Sequence, residues 1–271
     1  MPEPTRRVEI TRCKPPAALP AHDTVVVEEP LEIRIGKVSV VVTMRTPGHD
    51  EELAAGFLFT ERVIYSAADI DQLAPCNEIE KPEARGNILV ATLAATASVD
   101  LDKLKRNFYA TSSCGICGKA SIDQVCTTVA PTQSDLKIPA ATLLALPGQM
   151  RTHQRLFAET GGLHAAALFD DSGRLLCLRE DVSRHNAVDK LVGWAVLDHR
   201  LPLDRTVLLV SGRASFEIVQ KSQAASIPIL AAVSAPSSLA IDLATRGNQT
   251  LIGFLRGDSF VSYAGRERIT N

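Results

Sequence analysis

Two thiols three positions apart are the most chemically capable feature of this chain. Cys114 and Cys117 sit in Thr111-Ser112-Ser113-Cys114-Gly115-Ile116-Cys117-Gly118-Lys119, and they are the only close pair among six cysteines, the others being Cys13, Cys76, Cys126 and Cys177. Thiols at this spacing can share a metal, close a disulfide, or pass a sulfur atom from one to the other. Gly115 and Gly118 remove bulk beside each thiol and permit unusual dihedrals. Ser112 and Ser113 supply hydroxyls and Lys119 a positive charge, and Ala120 to Val125 can start a helix. A thiol beside a lysine and a helix N-terminus has a lowered pKa and is partly thiolate. That suits a reactive cysteine better than an inert one.

The competing use of such a pair is half of a zinc site. Zinc needs four ligands; Cys126 could be a third, and His153 or His164 a fourth. The second Cys-x-x-Cys that would make this reading strong is absent, so no metal site is expected. A thioredoxin-like redox motif normally opens a helix after a βαβ strand, and the preceding residues do not read as such a unit. Six dispersed cysteines in a long chain are not a disulfide framework, and Cys177 lies in an apolar strand pattern, where a thiol acts as core.

The elements that must position the thiols belong to a 271-residue chain that is 45% hydrophobic and 22% charged, enough for a normal core. A formal net charge of −2 exerts no overall pull toward nucleic acid or an anionic membrane. The first residues, Met1 to Arg7, have charge without an apolar stretch behind it, unlike a signal peptide. No apolar run approaches the roughly 18 residues of a membrane span, so the predicted location is the cytoplasm.

Taken in order, residues 1–23 read as a loose arm. Residues 24–110 read as a smaller α+β domain. Within it Leu31, Ile33 and Ile35 alternate with Glu32 and Arg34 as in a strand with one wet face, and Gly36-Lys37 turns the chain into a second strand, Val38 to Val42. Asp50-Glu51-Glu52 opens a helix to about Ile64, its acids matched to the helix dipole, with Leu53, Phe57, Phe59 and Val63 inward. Residues 66–86 read as irregular, and Ile88 to Leu93 as a strand. Residues 111–138 hold the cysteine loop and a connection.

From 139 to 271 a second domain is expected. A helical stretch near Pro139 is interrupted at Pro147-Gly148 and resumes to about Thr160. A hairpin follows, Leu163 to Phe169 and Leu175 to Leu178 around Asp170-Asp171-Ser172-Gly173. Helices at His185–Leu197, Ser215–Ala225 and Ser237–Thr245 then alternate with strands at Val207–Val210, Ile227–Val233 and Thr250–Leu255, implying an α/β, mostly parallel sheet with helices on its faces. Ligands bind such sheets at the C-terminal ends of strands. Three places there offer hydroxyls, arginine and amides suited to a phosphate: Ser211 to Ser215, Ser234 to Ser238, and Phe254-Leu255-Arg256-Gly257-Asp258-Ser259 after the last strand. Such turns also contain Ser and Gly for geometry alone.

Together these residues resemble the FdhD/NarQ family, the formate dehydrogenase accessory sulfurtransferases. The resemblance runs from Glu28-Glu29-Pro30-Leu31 through Thr46-Pro47-Gly48-His49-Asp50-Glu51-Glu52-Leu53-Ala54-Ala55-Gly56-Phe57-Leu58, the cysteine loop, Thr160 to Ala166, Arg184-His185-Asn186-Ala187-Val188-Asp189-Lys190 and Ser211-Gly212-Arg213, to Ser234-Ala235-Pro236 and Gly253-Phe254-Leu255-Arg256. It implies a cytoplasmic sulfur carrier that takes sulfane sulfur from a cysteine desulfurase. The carrier would deliver that sulfur to the molybdenum cofactor, in its bis(molybdopterin guanine dinucleotide) form, before insertion into formate dehydrogenase. It implies a homodimer, a larger domain similar to the cytidine deaminase fold with a mixed sheet flanked by helices (α+β overall), a persulfide on Cys114, and a cofactor site at Phe254, Leu255, Arg256, Gly257, Asp258 and Ser259. Cys117 could resolve the persulfide or hold the acceptor.

The chain departs from the family pattern where Arg62, Ser183 and Ser226 replace a usual glycine. Deaminase chemistry is not expected: His164 is followed by Ala165-Ala166, without the His-x-Glu glutamate, and the only later cysteine is Cys177. A cofactor-binding chaperone without obligatory sulfur transfer is the non-enzymatic alternative, distinguished by whether Cys114→Ala still delivers sulfurated cofactor. His164 and His185, at element starts, more often satisfy backbone groups than do chemistry. Arg213 and Arg256 have a stronger claim on a phosphate-rich ligand, against the ordinary fate of a solvated arginine. Lys119 either tunes Cys114 or is simply exposed.

Overall fold

The structure, a computed structural model, describes residues 3–76, 85–97 and 131–271. Cys114, Cys117, Cys126 and Lys119 lie outside the described residues, as does the mixed stretch from Leu101 to Tyr109.

The arm expected as loose forms a long β-hairpin, β1 (Thr5–Lys14) and β2 (Ala17–Val26), paired in register from Thr5↔Val26 to Lys14↔Ala17 around Pro15-Pro16. The ribbon pairs through its backbone hydrogen bonds, and its largely exposed side chains carry no core signal. The next two strands match expectation: β3 (Glu29–Ile35) and β4 (Val38–Arg45) join through Gly36 at φ +55°, a left-handed position that suits glycine. β6 (Ile88–Leu93) runs parallel to β3, and β5 (Ile70–Pro75) lies antiparallel outside it, giving the order β4-β3-β6-β5. β5 falls in the span expected to be irregular. It is an edge strand attached through its backbone, and Pro75 is tolerable at such an edge.

The larger sheet has six strands in the order β13-β12-β11-β10-β8-β9: β8 (His164–Asp170), β9 (Leu175–Asp181), β10 (Thr206–Val210), β11 (Ile229–Ala232), β12 (Thr250–Arg256) and β13 (Ser259–Ala264). Only β10/β11 and β11/β12 are parallel pairs, so the sheet is mixed rather than mostly parallel. The cause is β13, an unexpected edge strand that returns antiparallel to β12, and the β8–β9 hairpin on the other side. A parallel two-residue bridge joins β7 (Ile138–Pro139) to β14 (Ile269–Thr270).

Side chains alternate across the sheet. Ala166, Leu168, Leu208 and Val210 face a cluster shared with α4 (Arg184–Leu197), α5 (Phe216–Ala224) and α6 (Ser238–Arg246). Ala165, Ala167, Val207 and Leu209 face Leu143, Leu146 and Met150 of α2 (Ala140–His153). That buried stripe carries α2 straight through Pro147-Gly148, where a break was expected. The break comes after His153, before α3 (Arg155–Thr160).

The first cluster also takes in Leu58, Phe59, Val63 and Ile64, from and beyond the end of α1 (Asp50–Thr60). α1 crosses α4 with almost no separation: a Cβ on Gly56 would stand 1.8 Å from the Asp189 carbonyl oxygen, and one on Gly193 1.7 Å from that of Glu52. Only two facing glycines permit this approach.

Candidate functional site

Antiparallel pairing brings the start of β8 and the end of β9 to the same sheet end as the C-termini of β10, β11 and β12, since Ala166 pairs with Val210 and His164 with Asp181. The three loops expected at the strand ends therefore meet residues from elsewhere in the chain. Ser237 N donates to Ala214 O at 3.0 Å and Phe254 N to Ser234 O at 3.2 Å, tying the loops after β10, β11 and β12 together. Ser211 Oγ accepts from Ala165 N at 2.9 Å.

The helix that reaches this end is α4. Its start is organised by Asp181, fully buried, whose Oδ1 accepts from Ser183 N at 2.8 Å and Asn186 Nδ2 at 3.1 Å. The other oxygen accepts from Thr46 N at 3.1 Å and is paired with Lys190 Nζ at 2.7 Å. Lys190 also donates to Thr46 O at 2.8 Å, so the loop after β4 is clasped to β9 and α4. Four donors on one buried carboxylate satisfy its charge.

This clasp presents Arg184 and His185 at the helix start. His185 is buried with Nε2 3.5 Å from Ser215 Oγ and 3.9 Å from Glu217 Oε2. Burial, reinforced by the charges of Lys221 and Arg184, brings its pKa down to about 3, so the ring is neutral at ordinary pH. Burial and the Arg184 charge also lower the pKa of His164. Arg184 forms no hydrogen bond or ion pair with any described residue, and its Nε is buried. The Gly212 backbone touches both neighbours, since a Cβ there would lie 3.4 Å from His164 Nδ1 and 3.6 Å from Arg184 Cδ.

Two clefts meet at His164. One, of about 560 Å³, is lined by Met150, Arg151, Phe157 and Ser211 among others; the second, of about 280 Å³, by Glu28, Met44, Ser183, Arg184 and His185. Together they have the size of a small-molecule site. A third cleft, of about 370 Å³ and lined by Phe59, Tyr65, His199 and Ser226, lies at the opposite end of the strands.

The stretch from Phe254 to Ser259 is a bulge and hairpin, not a turn after the last strand. The register shifts by one residue between Gly253↔Val261 and Arg256↔Ser259, and Phe254 sits at φ +53°. A left-handed bulky residue is costly and marks a backbone held for a reason. Leu255 is fully buried in the core and can offer a ligand only its backbone. Arg256, Gly257, Asp258 and Ser259 are exposed, with the Arg256 guanidinium 5.7 Å from the Phe254 ring centre. Arg213 is exposed at the neighbouring loop.

A profile of the FdhD/NarQ family matches residues 26–270. The chain belongs to the FdhD/NarQ family. Among its relatives, a sulfur carrier protein FdhD from Mycolicibacterium paratuberculosis is 52% identical over 268 residues, covering 98% of both chains. One from Sulfolobus acidocaldarius is 41% identical over 266 residues, covering 97% of this chain and 98% of that one. A crystal structure described as a candidate formate dehydrogenase accessory protein, from Desulfotalea psychrophila, shares the fold at a TM-score of 0.77 and 24% identity, over 98% of this chain and 99% of that one.

For this FdhD/NarQ chain, the hairpin that the resemblance named and the strand-end loops read from the sequence prove to lie along one sheet end. Arg184 had no role in the sequence reading. Its signal was legible all the same: a cation in the first turn of a helix opposes the dipole, and calls for an anion nearby. Among the described residues no helix is long and apolar enough to cross a membrane, and no group of three or more His, Cys, Asp or Glu side chains could hold a metal.

Proposed function

We propose that the chain is a sulfurtransferase of the persulfide-carrier kind, serving formate dehydrogenase. The observation that carries this reading is the Cys114-Gly115-Ile116-Cys117 pair in a chain 52% identical, end to end, to a protein named sulfur carrier protein FdhD. The name of the Desulfotalea psychrophila neighbour supports the link to formate dehydrogenase.

The Cys114 thiolate attacks the outer sulfur of a persulfide on a cysteine desulfurase. A Cys114–sulfur bond forms, the desulfurase thiolate leaves, and Cys114 carries the sulfane sulfur. The acceptor is the molybdenum cofactor as bis(molybdopterin guanine dinucleotide), a substrate rather than a resident group. Its transfer precedes insertion into the dehydrogenase. In the resolving route, the Cys117 thiolate attacks the inner sulfur, a Cys114–Cys117 disulfide forms, and hydrosulfide departs toward molybdenum.

The described residues suit such an acceptor. Arg213 and Arg256 are solvent-facing cations at the strand ends, and Asp258 and Ser259 add polar groups at the β12–β13 hairpin. Phosphate-rich, doubly nucleotide-bearing molecules are gripped by forked guanidinium groups. The working form is a homodimer in the cytoplasm.

Intact mass spectrometry after incubation with a cysteine desulfurase and cysteine tests the carrier. Wild type gains one sulfur atom, Cys117→Ala gains it too, and Cys114→Ala gains none. If wild type gains none, or Cys114→Ala gains as much as wild type, Cys114 is not the carrier. Full sulfur delivery by Cys117→Ala would remove the resolving route and leave Cys114 as the only essential thiol.

A further inference from the structure

We propose that the outer edge of β1 pairs antiparallel with the same edge of a second copy, centred on Val8, so that two ribbons join into one sheet in the order β2-β1-β1-β2. The pairing rests on the homodimer of the proposed function and gives that homodimer a surface.

The ribbon is incomplete by itself. β1 and β2 form a sheet of their own, with no third strand among the described residues. Its base is held: Val27 N donates to Pro4 O at 2.8 Å, and a Cβ on Gly162, just past α3, would lie 3.2 Å from Val26 Cγ1. Farther out, every residue from 11 to 20 is exposed. A lone two-stranded hairpin is marginal in water, and stability comes with further strands and an apolar face. Such a face is present. The register places Val8, Ile10, Leu19, Ala21 and Val25 on one side of the ribbon, with Leu19 65% exposed. The family profile begins at residue 26, so the ribbon stands outside the part of the chain that the profile matches.

The backbone decides which residues can pair. Hydrogen-bonded positions alternate along an antiparallel ladder, and the bond from Val27 to Pro4 extends this ladder at an even-numbered residue. Pro20, which has no N–H, stands opposite Thr11, an odd-numbered one. Even residues of β1 therefore bond β2, while Thr5, Arg7, Glu9, Thr11 and Cys13 turn their N–H and C=O groups outward.

An antiparallel contact of this edge with itself must set odd residues opposite odd residues. Charge then selects among the registers, because opposite charges across strands stabilise and like charges destabilise. Centred on Arg7, the contact puts two arginines face to face; centred on Glu9, two glutamates. Centred on Ile10, it puts Arg6 against Lys14. Centred on Val8, it puts Arg7 against the partner's Glu9 and Glu9 against the partner's Arg7. Thr5 then faces Thr11, and Val8 faces its own copy on the apolar side. Arg6 lies against Ile10, which its apolar stem can cover. Arg12 and Lys14 fall beyond the overlap.

Sedimentation equilibrium of the full chain over a concentration series tests the contact. Wild type should dimerise. Arg7→Glu and Glu9→Arg each set like charges face to face, and each should weaken the dimer roughly fivefold or more. An equimolar mixture of the two single variants should regain the affinity as a heterodimer, in which every glutamate meets an arginine. The double variant Arg7→Glu/Glu9→Arg should regain it as well. Thermal melting checks that the variants fold. A monomeric wild type, single variants that dimerise as tightly as wild type, or a mixture no tighter than its components overturns the pairing. Sulfur loading of Cys114 separates the two readings. A chain that loads sulfur but stays monomeric sinks the pairing alone, and one whose dimer is broken and rescued by these charges but never loads sulfur sinks the carrier reading alone.

Discussion

At the scale of single residues, the backbone explains two departures from the family pattern. Arg62 sits at φ +61° and Ser226 at φ +63°, both in the left-handed region where glycine is at ease and a side chain is not. Ser183, the third departure, is an ordinary extended residue at φ −100°, so its side chain imposes no backbone penalty before Arg184. Ser226→Gly should raise the free energy of unfolding by about 1 kcal/mol. Arg62→Gly should gain less, because the Arg62 guanidinium lies 5.7 Å from the Phe59 ring centre and that contact would go. Urea unfolding reads both, and a loss of stability in Ser226→Gly would mean its hydroxyl matters more than its dihedral. The same reasoning applies in reverse at Phe254, whose strain sits at the proposed substrate hairpin rather than at the far cleft.

At the scale of elements, the α1–α4 crossing decides how the N-terminal sheet is joined to the six-stranded one. Gly193→Ala would drive a methyl to 1.7 Å from the Glu52 carbonyl oxygen, and Gly56→Ala one to 1.8 Å from that of Asp189. Both obstacles are backbone, which cannot swing aside, so the helices must separate. Each substitution should cost about 3 kcal/mol, the upper end for overpacking, seen as a lowered urea midpoint. A cost below 1 kcal/mol would show the crossing to be far looser. Polar groups mark the same seam. Arg179 bonds Glu52, which burial pushes up but Arg179 and His49 bring down to about 2. Lys221 lies 2.9 Å from Asp189 and 2.9 Å from Thr60 Oγ. Removing one member of such a buried pair leaves an unmatched charge.

At the scale of the whole molecule, the buried neutral His185 ties stability to pH. Its folded pKa, about 3, lies below its ordinary value of 6.5. The unfolded chain therefore takes up a proton below pH 6.5 that the folded chain refuses. Stability from this group is present above pH 6.5 and is lost as pH falls toward 3, at up to ~1.4 kcal/mol per pH unit. His185→Gln should flatten that part of the stability curve, measured by urea unfolding from pH 7 to pH 4. An unchanged slope would mean that His185 is protonated in the fold. The group stands beside Ser215 at the start of α5, so acid would unsettle the sheet end that carries Arg184 and the strand-end loops.

What the sequence determined by itself was local and chemical. The alternation through Leu31, Ile33 and Ile35, the Gly36 turn and the helix–strand succession from Arg184 to Arg256 follow from periodicity and turn chemistry, which act within a few residues. The ordered motifs were enough to point to the family. Tertiary structure decided whatever depends on a neighbour distant in the chain. The edge strands β1, β5 and β13 and most of β2 are held by a partner's backbone and bury little of their own, so no apolar pattern announced them; only the end of β2, at Val25-Val26, carried a β-branched signal. The proline in α2 was overruled by the stripe Leu143, Leu146 and Met150 meeting the sheet. Gly56 and Gly193 gain their meaning only from each other, 137 positions apart. The sequence places Arg184 at a helix start, but only the fold pairs Asp181 with Lys190, turns Gly212 toward His164, and leaves the Arg184 Nε buried with no partner among the described residues.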